Sequence, residues 1–212
     1  MTARQMSRRK FIQMSAIAGG AAVVACSGLT LAGSYTPPVD FPTFKEDGKT
    51  NEKILVAYAS VCGSTAEVAK EIANVLTGKG ETVDLYQAKD VKDLSAYKSV
   101  VLGSAIRMGK WKSDSTDFVK RFETALNKKS TAFFTVCLTL KDDTEENRKK
   151  VYAYLDPVRA LVEPGKESFF AGKLDYSKLS FIDGFIMKNM LKAPAGDYRK
   201  WDLIKAWAAE LT

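Results

Sequence analysis

A chain of 212 residues, 46% hydrophobic and 27% charged, is long enough to bury a full core in one domain plus an appendage and is no disordered tail. It contains no histidine, which removes the usual general base at neutral pH, the Ser-His-Asp and Cys-His arrangements and most zinc sites. Three cysteines are too few for a disulfide scaffold, and the net charge of +7 falls to +3 once Arg4, Arg8, Arg9 and Lys10 are set aside, with no basic and aromatic run to suggest a nucleic-acid groove. If the protein is an enzyme, a cofactor carries its chemistry.

Residues 1–26 begin basic and continue through an uncharged stretch, Phe11 to Ala25, rich in Ala, Gly and Val, the layout of an export signal. Ser7-Arg8-Arg9-Lys10-Phe11-Ile12 resembles the twin-arginine motif of a route that carries folded proteins. Val23-Val24-Ala25-Cys26 resembles a lipoprotein signal-peptidase site, which would make Cys26 the lipidated first residue of the mature chain. An uncleaved anchor is the competing reading, since no charge occurs between Lys10 and Asp40 and about 20 apolar residues suffice to span a bilayer. Both put the folded body outside the cytoplasm, at the membrane. Residues 27–52, with Pro37, Pro38 and Pro42 among polar residues, read as a Pro-rich linker.

The body, 53–212, opens on five apolar residues in a row, Ile54 to Tyr58, the mark of a strand buried on both faces. A short loop follows, Ser60-Val61-Cys62-Gly63-Ser64-Thr65, and then Ala66, Val68, Ala69, Ile72, Ala73, Val75 and Leu76 recur at helical spacing up to Gly78. The loop therefore ends on a helix N-terminus, whose unpaired amides and partial positive charge, with the Ser60, Ser64 and Thr65 hydroxyls, can hold a phosphate monoester without lysine or arginine. It lacks the Gly-Lys-Ser/Thr ending of a nucleotide triphosphatase and the glycine spacing of a dinucleotide fold.

Further strands are expected at Glu81–Tyr86, Tyr97–Gly103, Thr131–Cys137 and Ser168–Ala171, and helices at Asp114–Leu126, Thr144–Leu161, Phe181–Leu191 and Trp201–Leu211. The alternation predicts an α/β fold, a five-stranded doubly wound parallel sheet in three layers. In such sheets ligands sit beyond the carboxyl ends of the strands, so the loops after the first, third and fourth strands converge. Cys62 falls in the loop after the first strand and Cys137 at the end of the fourth, with a strand between them, roughly 10 Å apart by strand spacing, and they read as separate thiols.

Ser60, Gly63 and Thr65 match the Ser/Thr-x-x-Gly-x-Thr pattern of the first phosphate loop of the flavodoxins. Leu102-Gly103-Ser104-Ala105-Ile106-Arg107-Met108-Gly109, the Phe118-Val119 helix, Phe169-Phe170-Ala171-Gly172-Lys173-Leu174 and the Asp183–Leu191 segment resemble the menaquinone-dependent protoporphyrinogen oxidase branch of that superfamily, in order over 53–212. The resemblance implies FMN as cofactor, with Ser60, Val61, Cys62, Gly63, Ser64 and Thr65 on its phosphate, Ala105, Ile106, Arg107, Met108 and Gly109 flanking the isoalloxazine, and Leu138, Thr139, Leu140 and Lys141 closing the other edge.

Trp111 either stacks on that ring or packs on the surface between Lys110 and Lys112, and Arg107 either steadies an anionic flavin or substrate or is solvated. The family's aromatic and histidine positions in this loop are here Met108, Lys110 and Lys112. The Phe181–Leu191 helix, with Lys178, Lys188 and Lys192 around it, is either interfacial, bringing a membrane quinone to the flavin as the resemblance implies, or packed on the sheet. The expected function is an extracytoplasmic, membrane-tethered FMN protein passing electrons between a quinone or protein partner and another acceptor, with no side chain assigned as catalytic. The alternatives are quinone-dependent porphyrinogen oxidation and a flavin-free binding module on the same fold.

Overall fold

The structure, a computed structural model, describes residues 39–45, 52–190 and 192–212. The segment expected to be an export signal, with Cys26, and most of the expected linker lie outside the described residues. Val39–Asp175 with Pro194–Thr212 form one compact unit, and Tyr176–Ala193 belong to another. Among the described residues no helix is long and apolar enough to cross a membrane.

The first unit is built on β1 (Lys53–Ala59), all seven of whose residues are buried. Because side chains alternate along a strand, Ile54, Val56 and Tyr58 enter one core layer while Leu55 and Ala57 enter the other. The run of apolar residues thus feeds two cores. The sheet continues with β2 (Val83–Gln87), β3 (Tyr97–Arg107), β5 (Ser130–Cys137) and β6 (Lys166–Ala171), all parallel, in the order β2-β1-β3-β5-β6. A two-residue strand β4 (Lys110–Trp111) pairs antiparallel with the end of β3. The five parallel strands are those expected from the sequence.

Helix α1 (Ser64–Gly78) and the last helix contribute to the layer on Ile54, Val56 and Tyr58, while α2 (Ser113–Leu126) and the segment around Leu155, Val158 and Val162 contribute to the other. The helix expected over Thr144–Leu161 is divided into α3 (Glu145–Ala153) and α4 (Asp156–Arg159). Pro157 accounts for the break: it has no N–H to continue the ladder from α3 and sits in the first turn of α4, where none is needed. After β6 come β7 (Lys173–Leu174), α5 (Phe181–Phe185), β8 (Gly196–Asp197) and α6 (Trp201–Ala209), with β7 and β8 paired antiparallel. The sequence pattern did not reveal this small hairpin. In the second unit the expected Phe181–Leu191 helix is α5 followed by a π turn, Ile186–Met190.

Residues 39–45, assigned to the linker by their prolines, lie against the sheet. Phe44 and Leu85 exchange backbone hydrogen bonds of 3.0 and 2.8 Å, the Tyr58 hydroxyl donates to the Pro42 carbonyl at 2.9 Å, and Phe41 and Phe44 pack on the core. This strap covers the outer edge of β2, which would otherwise present unpaired backbone groups.

The backbone of β3 lies close under a side chain of β5 at Gly103. A Cβ on Gly103 would sit 1.9 Å from Phe134 Cζ, so the aromatic ring lies across the glycine backbone of the neighbouring strand and meets Trp207 at 6.2 Å between centroids. Gly103→Ala is therefore expected to destabilise by about 1–3 kcal/mol. Gly78→Ala, at a position with nothing within 4 Å, is expected to be neutral or slightly stabilising. Urea denaturation of the two variants checks the contrast; equal midpoints would contradict this packing.

Candidate functional site

At the carboxyl end of β1 the chain turns through residues 60–63 and enters α1. Gly63 is the N-cap, with φ 86°, a left-handed conformation that favours glycine. Its N–H donates to Ser60 Oγ at 3.1 Å, and its carbonyl accepts the first helical bond, from Glu67 N–H, at 2.9 Å. The N–H groups of Ser64, Thr65 and Ala66 precede that bond and are donors without an intrahelical acceptor. Ser64 Oγ accepts from the Lys173 N–H at 3.0 Å. Ser60 and Ser64 thus each accept one hydrogen bond within the protein, and each hydroxyl carries a proton that it can donate. Thr65 is buried, whereas Val61 and Cys62 are half-buried. Val39 Cγ1 stands 3.0 Å from the place of a Gly63 Cβ, so the strap reaches this loop.

The loop after β3 is a hairpin, with Ile106 opposite Trp111 and Arg107 opposite Lys110. Its turn is Met108-Gly109, at φ 51° and 73°. Positive φ at both central residues matches the twist of a two-residue hairpin. The Lys112 N–H donates to Ser104 Oγ at 2.9 Å and closes the base. Met108 is 93% exposed at the tip, whereas Trp111 is 4% exposed. The indole N–H donates to Thr135 Oγ1 at 2.9 Å, and the ring meets Phe133 edge-on at 5.1 Å. Trp111 is thus a core residue supporting the hairpin from within, with neither the surface position nor the open ring face expected of it. Ala105 and Ile106 are half-buried and Arg107 is exposed. A Cβ on Gly109 would meet Tyr154 Cε1 at 3.3 Å.

After β5 the chain makes one 3-10 turn, Leu138–Lys141. Leu140 is buried with Cys137 and Val151, and Ile106, Tyr154, Phe169 and Ala171 pack against them. Ile106 and Leu140 therefore belong to one apolar cluster that ties the β3 and β5 loops together. Leu138 and Thr139 are half-buried, and Lys141 is exposed and paired with Asp142. Cys137 is a free thiol. Burial pushes its pKa up, partly offset by hydrogen bonds from Leu140 and Thr139. Among the described residues no group of His, Cys, Asp and Glu side chains could hold a metal ion.

The arrangement is an amide-and-hydroxyl cup beside two loops tied by apolar contacts, at the carboxyl ends of adjacent strands. The family model for the flavodoxin domain matches residues 55–200. The chain belongs to the flavodoxin-domain family. Protoporphyrinogen IX dehydrogenase (quinone) of Escherichia coli K12 is 26% identical over 170 residues, 75% of this chain and 94% of that protein. The protein of the same name from Leishmania major is 27% identical over 172 residues, 74% of each chain. The crystal structure of oxidised flavodoxin 1 from Bacillus cereus, 18% identical, covers 76% of this chain and 97% of that one at a TM-score of 0.49.

This flavodoxin domain brings the 60–65, 105–109 and 138–141 loops to one end of the sheet, as adjacency of β1, β3 and β5 requires. It also brings there residues that the sequence pattern did not assign to the site. The β7 N–H of Lys173 reaches Ser64, and a Cβ on Gly172 would lie 3.6 Å from Ser64 Oγ. Arg199 bonds Glu67, in the first turn of α1, at 2.7 Å. These contacts join residues more than a hundred positions apart, and local periodicity holds no trace of them.

Met108 occupies a conformation that side chains other than glycine and asparagine adopt at a cost. Met108→Gly is expected to raise stability by up to about 1 kcal/mol, since both turn positions require positive φ. Chemical denaturation checks the sign, and a loss of more than about 1 kcal/mol would show that the methionine side chain contributes packing.

Proposed function

We propose that the flavodoxin domain is an FMN-binding electron-transfer protein, tethered at the outer face of the cell membrane, that moves electrons between a quinone or protein partner and another acceptor. The observation that carries this reading is the cup at the start of α1: three leading amides and two hydroxyls with free protons, on a glycine-capped helix end. FMN ends in a phosphate monoester, which that donor set fits without a basic side chain. When bound, FMN supplies one- and two-electron transfer. The chain's own residues bind and orient: Ser60 to Thr65 hold the phosphate, Ala105 to Gly109 line one side of the ring, and Leu138 to Lys141 line the other. Trp111 keeps the second loop in place through Thr135. Met108, exposed at the hairpin tip, presents an apolar contact to a partner beside the flavin.

Two features support a membrane setting. The N-terminal layout supports export, with Cys26 as the lipid attachment point. In the second unit Phe181, Ile182 and Phe185 are 63, 51 and 56% exposed, with Lys178, Lys188 and Lys192 nearby in sequence, a composition suited to the boundary of an anionic bilayer. A membrane quinone is the electron partner this surface favours.

Porphyrinogen oxidation is a second reading, supported by the names of the Escherichia coli and Leishmania relatives. Met108, Lys110 and Lys112, where the resemblance expects aromatic and histidine side chains, weigh against it as the main activity. The test is the visible spectrum of protein purified after export. Flavin bands near one equivalent, and reoxidation of the reduced protein by a soluble menaquinone analogue, are expected. Colourless protein that FMN cannot reconstitute would contradict the reading in favour of a flavin-free module, and steady quinone-linked turnover of porphyrinogen would establish the second one.

A further inference from the structure

Glu67 occupies the first turn of α1, where a carboxylate is ordinarily favoured by the helix end. At a phosphate cup the same position is unfavourable, because carboxylate and phosphate then share one partial positive charge and repel each other. Glu67 Oε1 stands 3.9 Å from the position of a Gly63 Cβ, so this charge lies beside the loop.

Arg199 answers it. Its side chain is only 2% exposed. Nη1 donates to Glu67 Oε2 at 2.7 Å, and Nε and Nη2 donate to the two oxygens of Asp197 at 2.8 and 2.6 Å. The guanidinium lies 4.4 Å from the centre of the Trp201 ring. Asp197, in β8, takes the forked pair and fixes the guanidinium, and the remaining nitrogen is directed at Glu67. A lysine has no planar fork with which to make both contacts. The hairpin that carries Asp197 is the same one whose β7 N–H, from Lys173, engages Ser64. The hairpin therefore meets the start of α1 twice, once at a hydroxyl of the cup and once at the competing carboxylate.

We infer that Arg199 is a positioning residue for the phosphate of the flavin nucleotide: anchored by Asp197, it offsets part of the Glu67 charge and fixes that carboxylate, leaving the helix end to the phosphate. This rests on FMN occupying the 60–65 loop, as proposed above. Arg199 acts through Glu67, so its effect is confined to ligands that carry the phosphate.

The test uses full-length protein stripped of flavin and titrated with FMN and with riboflavin, which lacks the phosphate, following flavin fluorescence. Arg199→Gln is expected to weaken FMN about tenfold at low salt, by removing the cation that faces Glu67 and Asp197, of which Glu67 stands beside the loop, and to leave riboflavin within about twofold. The FMN loss is expected to shrink as salt is added and to be largely reversed in Arg199→Gln with Glu67→Gln. Glu67→Gln alone, at a half-exposed side chain, is expected to bind FMN as tightly as the parent or more so, which keeps the inference testable should Arg199→Gln not fold. Equal losses of FMN and riboflavin in Arg199→Gln, absence of rescue by Glu67→Gln, or weaker FMN binding in Glu67→Gln alone would overturn it. A parent protein that binds riboflavin as well as FMN, or neither, would instead overturn the reading of the phosphate loop on which the inference stands.

Discussion

The start of α1 carries amide donors that no part of the helix can satisfy, and much of the surrounding structure serves to keep them in place. A helix N-terminus is a common feature; here it follows a strand buried on both faces, and the helix itself is packed into one of the two cores through Ala66, Val68, Ala69, Ile72, Ala73 and Leu76. Gly63 turns the chain with a left-handed conformation, and the Ser60 and Ser64 hydroxyls are held by backbone N–H groups. The cup is held by hydrogen bonds from both its own loop and a distant hairpin.

The neighbouring loops are organised by a different force. Ile106, Leu140 and Tyr154 join the β3 and β5 loops through apolar packing, and Trp111 anchors the β3 hairpin to β5 by one hydrogen bond and one ring contact. Backbone amides and hydroxyls gather at the 60–65 loop, whereas the two flanking loops are held by apolar packing; under the proposed function these would serve the charged end and the flat, uncharged end of an oxidised flavin nucleotide.

The architecture was legible because its signals are local. Five consecutive apolar residues from Ile54 marked the central strand, and helical spacing after Ser64 marked α1, so the position of the 60–65 loop between them was legible in the sequence alone. Other signals were present and outweighed. Pro157 announced the break between α3 and α4, yet the apolar spacing of Val151, Leu155 and Val158 continued across it. Phe41 and Phe44 announced the strap, but the prolines around them favoured a linker. Lys110-Trp111-Lys112 carried the alternation of a strand with one face inward, which is how Trp111 comes to be buried. Glu67 and Arg199 were invisible for a stronger reason: their pairing is a property of the finished fold, set by the β7–β8 hairpin, and no local pattern encodes it.

The most direct measurement of the central claim is a crystal structure of the complex with FMN. The account predicts phosphate oxygens at hydrogen-bond distance, about 2.7–3.2 Å, from the N–H groups of Ser64, Thr65 and Ala66, with no lysine or arginine side chain in contact. A phosphate held by basic side chains, or a nucleotide seated away from the start of α1, would contradict it.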